Sequence, residues 1–248
     1  MSHPFSNVSD DFFLNLNLQT TLSLPSNRET VLQFCETVQK HFTDMTSLYQ
    51  RDGQEYVLEG DREAGSYQWL ELHPNRLTAG WFNPPDLAQG YGFHRWLLER
   101  SIYYLGVGRM DVECLDITFG FHLDFLGNRD AIVTDALLGA SPLAAVATEG
   151  FGKCIQCEPS IVFALDDDCL LQARLAVETH SNDYQVRTGQ FSDDPISIYF
   201  TMRRCPQAGK LMDLDGTLVD LCDFGEDLAS RVVVPQVVKP IVTAIASS

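Results

Sequence analysis

The chain has 248 residues, 45% hydrophobic and 21% charged, which is enough to bury a large core and too apolar for a disordered tail. Thirty-four acidic residues against 17 basic ones give a net charge of −17. That field opposes a phosphate backbone, so nucleic acid is excluded as a general partner.

Residues 1–9 read as an N-terminal tail lacking the basic start and apolar stretch of a secretory signal. The longest apolar-rich run, Val232 to Ala246, holds Pro235 and Pro240 and is shorter than a bilayer requires. A cytoplasmic protein that does not engage membranes is expected. The seven cysteines are odd in number and irregularly spaced, which fits reduced thiols and no disulfide framework.

The first half is expected over 10–108. It opens with apolar Leu14, Leu16, Leu18, Leu22 and Leu24 alternating with Asn15, Asn17, Gln19, Thr21 and Ser23, the pattern of a strand with one buried and one polar face. Ser26 with Glu29 has the form of a capping box, and Val31, Cys35, Val38 and Phe42 make the apolar stripe of a helix. Turn signals at Asp52-Gly53 and Pro74-Asn75 separate a meander of about four strands. A helix capped by Asp86 then runs through Tyr91, Trp96, Leu97 and Ile102 to Gly106 and Gly108, with Arg95 and Glu99 at ion-pair spacing.

The second half, over 109–248, repeats this order. At an offset of 101, Leu115, Ile117, Phe119, Leu123 and Phe125 superpose on the first strand, and Asn128-Arg129-Asp130 superposes on Asn27-Arg28-Glu29. Asn128 is the expected cap of a helix through Ile132, Val133, Ala136 and Leu137 that ends at Ser141-Pro142. Glu178-x-His180 matches Glu71-x-His73 at an offset of 107, and Ser181-Asn182-Asp183 reads as a hairpin turn. An extra strand over Ile196–Met202 and a terminal helix from near Glu226, kinked at Pro240, complete the chain. The expected fold is therefore α+β: an internally duplicated strand-helix-four-strand-helix unit, its two pseudo-twofold-related halves forming one curved antiparallel sheet with helices on one face. In element order alone this resembles the saddle of the TATA-binding protein, and the resemblance carries no function with it.

Leu211 to Asp220 is similar to the first motif of haloacid-dehalogenase-like phosphatases, in which one Asp is nucleophile and the next acid and base. Only 28 residues follow Asp220, too few for the domain such an enzyme needs, so the string is expected to be an acidic connection. Cys154-x-x-Cys157 has the spacing of half a zinc site but no second pair to complete it. No phosphate loop, nucleophile elbow or dinucleotide fingerprint occurs, and no cofactor or metal is expected.

Two candidate sites remain. Within a strand, Glu71 with His73 and Glu178 with His180 each place a carboxylate and an imidazole on one face. If the two opening strands are neighbours, Asn15, Asn17, Gln19, Thr21, Asp116, Thr118, His122 and Asp124 form a polar, acidic sheet surface. The expected function is a non-enzymatic binding or assembly module that uses this face or the aromatic helix to contact a protein or small ligand, with a homodimer possible. The alternative is a metal-dependent or acid/base enzyme centred on the Glu-x-His pairs.

Overall fold

Strict alternation builds the centre of the molecule. The computed structural model describes residues 4–51, 55–143 and 152–248. In β1 (Asp11–Thr20), Phe12, Leu14, Leu16 and Leu18 are buried on one face, and in β6 (Val112–Leu123) Leu115, Ile117, Phe119 and Phe121 do the same. The two pair antiparallel with Leu16 opposite Ile117 and Asn17 opposite Asp116, so the apolar faces merge and the polar faces merge. Around them lie β2 (Ser47–Arg51), β3 (Glu55–Glu59), β4 (Tyr67–His73), β5 (Arg76–Phe82), β7 (Ser160–Ala164), β8 (Leu171–Glu178) and β9 (Ile196–Arg204). All pair antiparallel in one curved, open nine-stranded sheet of order β2-β3-β4-β5-β1-β6-β9-β8-β7.

The apolar face is covered by helices. Helix α1 (Arg28–His41) packs on α2 (Leu87–Tyr104), and α2 packs on β5 and on α5 (Leu214–Leu228), which in turn lies on β6 and β9. A short α3 (Arg129–Val133) runs into a π-helical turn over Thr134–Leu138, and α4 (Asp183–Thr188) is a single isolated segment. Beyond α5 the chain stays helical through wide π turns over Ala229–Val238 and ends in α6 (Lys239–Ser247).

Several expected boundaries move. Asn27, not Ser26, caps α1, its Oδ1 accepting from the Thr30 amide at 2.8 Å; Asn128 caps α3 in the same way through Ala131. Ser181-Asn182-Asp183 is not a hairpin: Asn182 caps α4, because an asparagine side chain serves a helix start as readily as a turn. The strand at 196–204 is the direct neighbour of β6, and three strands follow α3 among the described residues.

The terminal helix starts at Leu214, twelve residues before the expected Glu226, so the phosphatase-like string forms its first turns. Both motif aspartates are held by arginines from earlier in the chain, Asp213 by Arg109 at 3.5 Å and Asp215 by Arg95 at 2.5 Å. Arg95 therefore pairs with Asp215 and not with Glu99. Instead of a kink at Pro240, the ladder widens around Pro235, whose missing amide hydrogen breaks the regular α pattern; Pro240 sits in the first turn of α6. The continuous helix Leu214–Ser247 spans 34 residues and is long and apolar enough to cross a membrane by length and composition, whereas the run from Val232 alone is too short. Here its first part lies on β6 and β9 and its last segment on α3 and the turn after it, with Leu218, Leu221, Cys222, Val233, Val238 and Ile241 buried.

Candidate functional site

The face of the sheet opposite the main helices is organised in rows by strand register. One row runs Tyr67, Phe82, Phe13, Gly120 and Tyr199 across β4, β5, β1, β6 and β9. Tyr67 stacks on Phe82 with centroids 5.3 Å apart, and Phe13 meets Tyr199 at 5.8 Å and His122 at 4.8 Å, edge-on. The Phe13 ring lies over Gly120, where an added Cβ would fall within the ring, and the Trp69 indole lies over Gly80 in the adjoining row. Gly120→Ala is therefore expected to cost about 2 kcal/mol by overpacking. Thermal melts of Gly120→Ala, Phe13→Ala and the double variant check this; fully additive losses would break the link between the two positions.

The next rows are polar. Asn15, Thr118 and Thr201 lie side by side, with the two threonine hydroxyls 2.8 Å apart. Asn15 Oδ1 is buried without a hydrogen-bond partner. Asp116 accepts from Arg203 Nε at 2.8 Å and Nη2 at 2.7 Å, and from Asn17 at 3.1 Å. This face is thus less acidic than the sequence reading expects: Asp116 is buried in a two-pronged ion pair whose guanidinium arrives from β9.

The remaining candidate residues fall at two distant ends. His73 closes β4 and sits between Glu55 at 3.0 Å and Glu71 at 3.2 Å, with Arg51 also on Glu71. Glu178 ends β8, but His180 lies beyond the strand with a positive φ of 52°, its Nε2 4.0 Å from Glu178 and 3.4 Å from Ser197 Oγ. Strands β4 and β8 are five ladder steps apart, roughly 24 Å, and run in opposite directions, so the two pairs occupy opposite ends of the sheet. Among the described residues no group of His, Cys, Asp and Glu is arranged to hold a metal ion.

The second pair instead meets His122. His122 faces Ser197, which faces Glu178, and Asp11 stands opposite His122 on β1. Burial pushes the His122 imidazole below its ordinary value, helped by His180 and opposed by Asp11. Asp124 lies just past β6, its amide donating to Asp10 at 2.7 Å; burial and the nearby Asp10 and Asp11 raise its carboxyl.

Sequence reasoning missed Phe13, Tyr67, Trp69, Phe82, Tyr199 and Arg203 on this face. The available signal was aromatic residues at alternate positions within single strands, and only register turns it into a row. No family model, curated protein or solved structure matches the chain.

Proposed function

We propose that the protein is a non-enzymatic binding module that receives an elongated amphipathic ligand on the open face of its sheet. One observation carries this: a row of rings on four strands, with Phe13 buried and Tyr67, Phe82 and Tyr199 half-buried, lies beside a band of amide, hydroxyl and guanidinium groups, on a face that the main helices leave uncovered. Rings offer apolar contact to such a ligand. Aromatic rows on sheets also suit single-stranded nucleic acid, but a charge of −17 opposes that ligand and favours a neutral or basic one. An enzyme using both Glu-x-His pairs needs them in one cleft, and their separation by five ladder steps gives that reading no support.

The scaffold reads as a duplication. Its support is the strand order, which matches β1 with β6, β5 with β9, β4 with β8 and β3 with β7 on either side of the central ladder. Asn27 and Asn128, 101 positions apart, cap corresponding helices. On this reading the element order would resemble that of the TATA-binding protein, with one strand fewer among the described residues.

The test is native mass spectrometry of protein taken gently from its source. A bound species is expected, and Phe82→Ser with Tyr199→Ser is expected to lower its occupancy at least tenfold while the melting curve remains cooperative. A ligand retained equally by the double variant, or protein that carries none, would sink the reading.

A further inference from the structure

We propose that β7 is a docking edge that takes an extended, basic segment of another protein as a tenth strand of the sheet. Among the described residues β7 ends the sheet and pairs only with β8. The Val177 amide donates to the Pro159 carbonyl at 3.0 Å and the Leu165 amide to the Leu171 carbonyl at 2.8 Å. These two bonds fix the alternation: Ile161, Phe163 and Leu165 direct their main-chain groups towards β8, while Ser160, Val162 and Ala164 direct theirs outwards. Among the described residues nothing pairs with those outward groups.

The side chains point the same way. All five residues of β7 are exposed, with Ile161 at 51%, Val162 at 57% and Phe163 at 53%, and Leu165 follows at 36%. Natural sheet edges are guarded by charged residues, prolines or bulges, and Ser160 to Leu165 contains none of these. The opposite edge, β2, ends in Arg51. Exposed apolar side chains on an unguarded edge mark a surface that pairs with another strand.

Charge selects the partner. The β7–β8 turn holds Asp166, Asp167 and Asp168, and among the described residues only Asp166 is paired, with Arg204 at 2.8 Å. On the helix side of β8 a groove of about 700 Å³ opens beside Leu171, lined by Leu221, Phe224, Asp220, Asp223 and Asp227, with Arg204, already paired with Asp166, as its one cation among the described residues. Asp227 is taken by Arg231. The carboxylates left over attract lysine or arginine flanking an apolar strand. They repel a second copy of this chain, which brings the same carboxylates and the same charge of −17.

Fluorescence anisotropy with two synthetic probes tests this on the full chain. Both are ten-residue peptides with an alternating valine-threonine centre; one has two lysines at each end, the other two glutamates. The lysine probe is expected to bind at least tenfold tighter, with affinity falling as salt rises. Val162→Pro removes an outward donor without touching the ladder to β8, and is expected to lower lysine-probe affinity at least tenfold with an unchanged melting curve. Should that variant fail to fold, Asp167→Asn with Asp168→Asn and Asp220→Asn is expected to erase the difference between the probes. Equal binding of both probes, binding of neither, or full binding by folded Val162→Pro overturns the proposal. So does a dimer in sedimentation that Val162→Pro makes monomeric, which would assign the edge to a second copy. Probe binding that emerges only after deletion of residues 144–151 would assign it to the chain's own segment and overturn it equally.

Discussion

Arg129→Met is expected to destabilise the protein by about 4 kcal/mol, a large share of the roughly 5–15 kcal/mol that holds a domain folded. Arg129 opens α3 and is wholly buried. Its Nε donates to the Thr179 carbonyl at 2.6 Å, and Nη1 to the carbonyls of Ser192 and Asp194 at 2.8 and 2.7 Å. Asp130, equally buried, accepts from the Cys157 amide and the Thr179 hydroxyl, each at 2.7 Å. Two adjacent side chains thus tie together the segment leading into β7, the end of β8 and the loop around α4. Methionine fills much of the volume but leaves the Ser192 and Asp194 carbonyls without their donor and Thr179 with only the Ser181 hydroxyl at 3.5 Å, each loss a penalty of about 1–3 kcal/mol if the group stays buried. Hydrogen exchange should show fast amides over 179–194, and the melting midpoint should fall by roughly 10 °C. Arg129→Lys keeps the charge but not the fork, and should recover less than half of the loss. A melting midpoint unchanged by Arg129→Met would mean that the buried charge contributes nothing to this loop.

The same clamp shows why part of the fold was legible in the sequence and part was not. β1 and β6 are long, half-buried strands, so leucine alternating with asparagine or aspartate declares both the element and its inner face. The segment after β8 has no such period. Its conformation depends on Arg129, fifty residues or more away in sequence, and on Asn182, whose side chain caps helices and turns alike. The start of α5 was hidden similarly: Gly216 and Thr217 are poor helix formers, yet Arg95 and Arg109 anchor the first turn through Asp215 and Asp213. On the open face, the polar side chains of β1 and β6 could be read directly. That Asp116 is neutralised could not, because Arg203 comes from a strand 87 residues later. The Glu-x-His pairs looked alike because their spacing is alike, but His73 lies within a strand and His180 beyond one.

His94 is expected to make the protein sensitive to mild acid. It lies on α2, wholly buried, with neither ring nitrogen hydrogen-bonded, and burial pushes its imidazole from an ordinary 6.5 down to about 3. Between these two values the unfolded chain binds a proton that the folded chain refuses. Stability from this residue is therefore complete above pH 6.5 and is lost as pH falls towards 3, by about 1.4 kcal/mol per pH unit. At pH 4.5 the loss is near 3 kcal/mol on this arithmetic. His94→Leu removes both the proton site and two unsatisfied nitrogens, so it should be no less stable than the parent at pH 7 and clearly more stable at pH 4.5. Other groups also titrate in this range: His122 is lowered by burial, and Asp166 is held low by the amides of Leu171 and Leu170. The quantity to read is accordingly the difference between parent and variant in urea unfolding from pH 7 to pH 4. A difference that widens as pH falls assigns the acid sensitivity to the core of α2. A difference constant across that range would show that His94 finds a partner or takes up its proton without unfolding the chain.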